Sequence, residues 1–441
     1  MDTLWPYVLG IVVFAIGLAI SIALHEVGHL VPAKLFGVHV GQYMVGFGPT
    51  VVSRKIGETE YGIKAIPMGG YISMAGMFPP GDEPVESKNR LRRLFGKLVQ
   101  DARQASDESM TELDPSRAFY HLPVWKRIII MLGGPFMNLV LAFVLFSILI
   151  MGFGQPATTT TISSVTQCVT AAGAPATCSA STVAAPAAAA GLQPGDKLIS
   201  INGTAVTSWV QGTAITRASA GKPVSVVIER AGAQQTLTLT PVVSERAKYT
   251  ATGTAVLDAA GNPVTEQVGF VGIAPTSAMT PQPITAVFPI MGENIVGVAN
   301  MILHLPERMV AVGNAAFGTE ARDVNGPISI VGVGRVAGEI ASTSAIPEQS
   351  KVASLIGILA SLNIALFVFN LVPLLPLDGG HVAGALYEAA RRRIAKLRHR
   401  PDPGPFDTAR LMPLTLVVVA ILMGMSALLI YADIFKPVTI F

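Results

Sequence analysis

The chain has 441 residues and a formal net charge of +3, with 51% hydrophobic and only 13% charged residues, about half the charged share of a typical soluble domain. That balance excludes an ordinary water-soluble globule and a disordered chain, which both carry more charge. The small, patchily placed positive charge excludes a nucleic-acid partner, and the composition describes a multi-pass membrane protein.

Four stretches are apolar over the roughly 20 residues that a bilayer crossing needs. The first occupies 1–34 and carries no charge between 3 and 24; Asp2, with no Lys or Arg ahead of it, argues against a cleaved leader. At its far end stands His25-Glu26-Val27-Gly28-His29. Histidines at i and i+4 share one face of a helix, so both imidazoles can reach one metal ion. Glu26 lies beside them and can take a proton from water activated there. Ionisable groups in or near a span are costly, which makes an accidental pair a poor explanation.

Residues 35–80 follow. Their glycine-punctuated stretch 37–76 predicts three or four short strands. Residues 81–127 are a charged, polar loop without catalytic duty, and 128–153 (IIIMLGGPFMNLVLAFVLFSILIMGF) are the second span. Lys and Arg concentrate before the second span and at 391–400 (RRRIAKLRHR), whereas 154–196 has none. The basic loops are therefore cytoplasmic, 154–350 is outside with both chain ends, and 391–400 reads as a topology signal.

Between spans two and three, residues 154–275 read as a folded domain. LISI and VTSWV predict strands joined at the turn Asn202-Gly203, and PVSVVIER and QQTLTLTPV alternate as half-buried strands do. AAGLQPGDKLISINGTAV is similar to the heart of a bacterial PDZ domain, interrupted by an unusual insert at 246–264. Such domains commonly add an extended peptide end as a strand; a shield over the membrane entrance is the alternative. Cys168 and Cys178 are the only cysteines, and an oxidising exterior permits a disulfide between them. Residues 276–350 contain apolar runs (284–316) broken by Pro289 and Pro306, too interrupted for a span and read as amphipathic helices on the outer membrane surface.

The third span, 351–383, ends in Asn370-Leu-Val-Pro-Leu-Leu-Pro-Leu-Asp378-Gly-Gly-His381. A catalytic zinc site takes a third protein ligand, and Asp378 is the candidate. Spans one and three run in the same direction, and His25 and Asp378 both lie about 34–39 Å along theirs at 1.5 Å per residue, so the two motifs share a depth toward the cytoplasm. Pro373 and Pro376 open the backbone just before the Asp. His381 is the rival ligand; His39, His121, His304 and His399 stand alone. A basic loop at 384–410 and a fourth span at 411–434 complete the chain.

HEVGH, GGPFMN (133–138) and NLVPLLPLDGGH together resemble the site-2 protease family of zinc intramembrane metalloproteases, in its bacterial form with a single PDZ domain. The resemblance implies one zinc ion held by His25, His29 and Asp378, with Glu26 as catalytic base. It matches Asn370 and Asn138 to family asparagines placed to contact substrate. It also folds 37–76 into a β-sheet that re-enters the membrane beside the zinc, with Gly46, Phe47 and Gly48 near the substrate. The implied fold is a polytopic α-helical membrane protein with four transmembrane helices, this re-entrant β-hairpin and an extracytoplasmic PDZ (α+β) domain. The implied activity is cleavage of single-pass membrane proteins, such as a pre-trimmed anti-sigma factor, within the lipid bilayer of the bacterial cell membrane; a newly exposed substrate C-terminus would meet the PDZ domain. Two other classes compete. A metal-dependent transporter would show internal repeats and has no need for Glu26, and a membrane-anchored PDZ scaffold with a vestigial metal site would survive Glu26→Gln.

Overall fold

The computed structural model describes residues 4–79, 115–169, 183–248 and 263–438, with isolated positions at 96, 99–100, 103, 106, 178 and 256–258. The 246–264 insert and the 81–127 loop thus lie partly outside the described residues. The chain divides into two compact units, Met1–Phe153 with Pro283–Phe441, and Gly154–Gln282.

Helix α1 (Leu4–Leu35) contains Pro32, which has no N–H to give the carbonyl four residues earlier. Two long antiparallel strands follow, β1 (Val40–Ile56) and β2 (Thr59–Met74). Both bend: each residue in 42–45 pairs with one in 60–63 and with another in 70–73, while 50–56 pairs with 59–64. The short strands read from the sequence are therefore segments of two bent ones, in the spatial order 50–56, 59–66, 40–47, 70–74. Helix α2 (Val124–Ser147) begins after Pro123 and runs on into a π-helical turn, Ile148–Phe153.

In the second unit, a six-stranded sheet has the order β10-β3-β4-β6-β7, with β5 paired to β4. These strands are β3 (Gln155–Val165), β4 (Lys197–Ile201), β5 (Thr204–Ala205), β6 (Val224–Arg230), β7 (Ala233–Leu239) and β10 (Ile273–Thr280). A separate ribbon pairs β8 (Val242–Ala247) with β9 (Thr265–Phe270). Asn202 and Gly203 both have positive φ, the conformation a two-residue hairpin needs. The expected strand at VTSWV (206–210) does not form: pairing stops at Ala205, and Ser208 caps helix α3 (Trp209–Ala218) by accepting from the Gln211 amide. Local capping chemistry outweighs the β propensity of the flanking residues there. Ile162, Leu198, Ile201, Val226 and Ile228 fill the core. Cys168 and Cys178 form a disulfide with Cα atoms 5.7 Å apart.

The first unit resumes with α4 (Val287–Leu303), α5 (Leu305–Phe317), α6 (Ile330–Ser342), α7 (Glu348–Asn370), α8 (Asp378–Leu397) and α9 (Met412–Phe435). Two expectations change here. Pro289 falls in the first turn of α4 and Pro306 in that of α5, where a missing N–H breaks no helical bond. Residues 284–303 thus form an unbroken helix, and among the described residues five helices rather than four are long and apolar enough to cross a membrane. Val287 and Met291 of α4 pack with Ala142, Phe146, Ala360 and Ile364 of α2 and α7, not apart from them as a surface helix would. Likewise the basic run at 391–400 lies mostly on α8 rather than in a loop, with Glu388 buried against Arg127.

Candidate metal centre

Close approach of α1 and α2 begins at a pair of glycines. A Cβ on Gly28 would overlap the Gly133 carbonyl oxygen, and a Cβ on Gly133 would overlap that of Gly28. Gly28 O is the carbonyl that Pro32 leaves without its helical donor, and it is the atom that faces Gly133 Cα across this contact. A Cβ on Gly134 would overlap the His29 ring. The GG of GGPFMN is therefore a socket for HEVGH.

In that socket His29 Nδ1 donates to Ile130 O at 2.7 Å, which leaves Nε2 as a lone pair. The side-chain amide of Asn138 stands 3.0 Å from His25 Nδ1. From the other side, α7 stops at Asn370 and the chain turns sharply through 371–377. Gly379 and Gly380 nest against the backbone of 371–375 where no Cβ would fit. Asp378 thereby opens α8 and points its carboxylate at both imidazoles, with Oδ2 at 3.4 Å from His25 Nε2 and 3.4 Å from His29 Nε2.

Those two Nε2 atoms are 3.2 Å apart. A tetrahedral zinc ion with bonds of about 2.0–2.1 Å needs ligand atoms about 3.3–3.4 Å from one another, so the triangle has the right size. Its electrostatics agree. Asp378 Oδ2 is buried with no hydrogen-bond partner, and it faces two imidazole nitrogens whose protons, in the metal-binding tautomer, sit on Nδ1. Three lone-pair donors converging in a buried place call for a cation. Among the described residues these three form the group of His, Cys, Asp and Glu side chains able to hold a metal.

The remaining expected residues fall into two sets. Glu26, Asn370 and His381 line the same cavity, of ≈ 330 Å³, with Tyr71, Met77 and Met131; His381 stays outside the triangle of candidate ligands. Asn370 donates to Leu366 O at 3.0 Å. Glu26 is buried, and Gly70 leaves the room its side chain occupies. Asn138, Gly46, Phe47 and Gly48 do not line this cavity. Asn138 reaches a histidine instead, and Phe47 stacks on Tyr71 with ring centroids 6.2 Å apart. Gly46 has φ of +96° and no space for a Cβ against Ile66 O. No residue pattern marks Tyr71, Met77 or Met131, whose side chains are ordinary apolar and aromatic ones. Of the other histidines, His39 pairs with Glu58 at 3.2 Å and His304 with Asn300 O at 2.9 Å.

The model of peptidase family M50 matches residues 13–401. The chain is 32% identical over 448 aligned positions to zinc metalloprotease Rip1 of Mycobacterium tuberculosis, covering 99% of each chain. It is 33% identical to Rip1 of Mycolicibacterium smegmatis, over 98% of this chain and 99% of that one. To metalloprotease MmpA of Caulobacter vibrioides it is 28% identical, over 85% of both. With this agreement along almost its whole length, the chain belongs to peptidase family M50, the site-2 protease family, and is a multi-pass membrane zinc metalloprotease.

Proposed function

We propose that this enzyme cleaves a peptide bond within or near the transmembrane segment of single-pass membrane proteins, with His25, His29 and Asp378 as zinc ligands and Glu26 as the general base. The observation that carries the reading is the triangle of 3.2, 3.4 and 3.4 Å between three ligand atoms, with Glu26 in the same cavity. Zinc, when bound, supplies a Lewis acid that polarises a carbonyl and acidifies water. Glu26 takes the proton of the attacking water and passes it to the leaving amine. Asn370, at the mouth of α7, donates to the substrate backbone or to the developing oxyanion.

A peptide bond in a transmembrane helix is shielded by its own hydrogen bonds, so the substrate must unwind and find new partners. The segment 70–74 has a strand neighbour only on the side of 40–47, and Gly70, Tyr71, Ile72 and Met74 line the cavity. This supports pairing of an unwound substrate with that edge. Tyr43 Oη donates to Ala23 O of α1 at 2.8 Å, and Val51, Val52 and Ile63 are more than half exposed. Both features suit a sheet that enters the bilayer from the cytoplasmic side beside the active site.

Topology follows from the same contact. Asp378, eight residues past the end of α7, meets histidines near the end of α1, which requires an odd number of crossings between the two helices. That favours α4 dipping beside α2 and α7 without a full crossing, with both chain ends and 154–282 outside and the site toward the cytoplasm. The second unit reads as a PDZ domain. A cavity of ≈ 290 Å³ flanked by Thr216 and Arg217 of α3 and by Phe270, Gly272 and Ile273 suits the freshly exposed C-terminus of a trimmed substrate, such as an anti-sigma factor in a bacterial cell membrane.

The test is cleavage of a tagged single-span substrate with its outer domain already truncated, by wild type and Glu26→Gln, each with and without a zinc chelator. Cleavage by untreated wild type alone is expected. Turnover by zinc-loaded Glu26→Gln would refute the assignment of the base, and turnover in chelator would refute the metal centre.

A further inference from the structure

Each peptide hydrolysis consumes one water, whose oxygen ends in the new carboxylate and whose two protons end on the new ammonium. An enzyme working inside a bilayer must replace that water from somewhere. Behind the catalytic cavity lies a second one of ≈ 20 Å³, enough for a single water. Met77 and His381 line both cavities. The far wall is made by Phe119, Tyr120 and Thr408, on the side of the loops read above as cytoplasmic.

Arg127 is a further wall residue. Arg127 is buried, with its Nη2 donating to Glu388 Oε1 at 2.6 Å. Glu388 is fully buried and also accepts from the Phe406 amide at 2.9 Å. This pair fixes the guanidinium, yet Arg127 Nε is buried with no hydrogen-bond partner. An N–H in that position needs an acceptor, and a water in the chamber supplies one.

We infer that Arg127 Nε and the His381 ring hold a water molecule between the catalytic cavity and the cytoplasmic loops, and that the water consumed in each turnover is replaced through it. His381 is on this account a positioning residue that hands water across, rather than a metal ligand. The inference rests on the proposed hydrolytic function, which its test separates from it.

Zinc-loaded full-length enzyme in nanodiscs is assayed on a quenched fluorogenic peptide, a single leucine-rich helix interrupted by Gly-Pro. Three variants are compared with wild type: His381→Phe, His381→Gln and Ala385→Leu, which fills the chamber from its wall. For His381→Phe and Ala385→Leu we expect kcat to fall at least about tenfold, with KM and bound zinc unchanged. His381→Gln, which retains a hydrogen-bonding side chain, recovers most of the loss. Undiminished kcat in His381→Phe and Ala385→Leu would overturn the inference, as would a parallel loss of zinc and kcat, which marks a structural role. A high-resolution structure of the wild type decides the same point without activity: a water is expected within hydrogen-bond reach of Arg127 Nε, and a dry chamber overturns the inference. If wild type fails to cleave the peptide, the proposed function is what fails, and the water density still decides the chamber.

Discussion

Asn138 stands 3.0 Å from Nδ1 of His25, buried on α2 and pointing at the ring of α1 rather than at the cavity. With the amide nitrogen facing His25, Asn138 Oδ1 is left buried and without a partner. With the amide turned over, Oδ1 accepts from His25 Nδ1–H, and His25 Nε2 becomes the lone pair that a metal requires. Ile130 O does the same for His29. Each histidine thus has its tautomer set by a group of α2.

Replacing Asn138 with Leu is therefore expected to weaken zinc binding about 10- to 100-fold while leaving the helix intact. Competition with a chelator of known affinity measures it. Unchanged zinc affinity would show that Asn138 does not orient the ligand.

Gly134 makes a separate case, because its role is space rather than hydrogen bonding. A methyl group there would occupy the position of the His29 ring, and the opposing backbones at Gly28 and Gly133 leave no room for the helices to separate without losing their contact. Gly134→Ala should yield a folded protein with substoichiometric zinc, read by metal analysis. Gly133→Ala should lower thermal stability as well, because the backbones of α1 and α2 are forced apart.

Much of this centre is legible in the sequence because metal chemistry demands side chains at fixed spacing. His25 and His29 share a helix face by periodicity alone, and Asp378 follows from the direction and length of two spans. The glycine sockets are harder to read. Gly28 and Gly133 are required by backbones that meet from distant parts of the chain, and Gly379 and Gly380 by a turn that folds back on 371–375; no helix or strand periodicity announces either meeting. The cases of α4 and α3 show the opposite difficulty. There the local signals were present, but a proline in a first turn resembles a helix breaker, and Ser208 lies hidden in a run of strand-forming residues. Segment 70–74 becomes an edge among the described residues because 42–45 takes 60–63 on one side and 70–73 on the other, a relationship that strand propensity does not carry.

A polar contact inside the apolar bundle joins α1, which carries His25 and His29, to α7, which leads toward Asp378. Asn363 of α7 donates to Ser21 Oγ of α1 at 3.0 Å, and both side chains are buried. Ser21 lies one turn before His25, and Asn363 two turns before Asn370. Interhelical hydrogen bonds in membranes contribute about 0.6 kcal/mol on average and up to about 1.7 kcal/mol. Asn363→Leu should destabilise the protein by an amount in that range. Because the bond connects the helix of His25 to the one leading into Asp378, zinc should also dissociate faster. Thermal unfolding of zinc-loaded and zinc-free protein tests this; an equal shift in both would show that the contact stabilises the bundle without serving the metal.

The second unit carries an acid-sensitive clasp of its own. Asp196 at the start of β4 is buried and accepts two bonds from Arg230 of β6, both at 2.7 Å, and a third from the Gln193 amide at 2.8 Å. Arg230 also donates to Gly191 O at 2.8 Å, so one guanidinium ties the sheet to the turn before it. The hydrogen bonds from Arg230, which outweigh the effect of burial, hold the Asp196 carboxyl below the usual carboxylate range. A carboxylate with a depressed folded-state pKa adds stability at pH values above its unfolded pKa of about 3.9. That contribution declines as the pH falls through the folded value. Hydrogen exchange in residues 191–201 of the full-length protein should therefore show protection that is flat from neutral pH to about pH 5 and lost progressively below about pH 4, after correction for intrinsic exchange rates. Asp196→Asn should lower protection at neutral pH and remove the acid-dependent loss; an unchanged acid profile in that variant would assign the sensitivity to other groups.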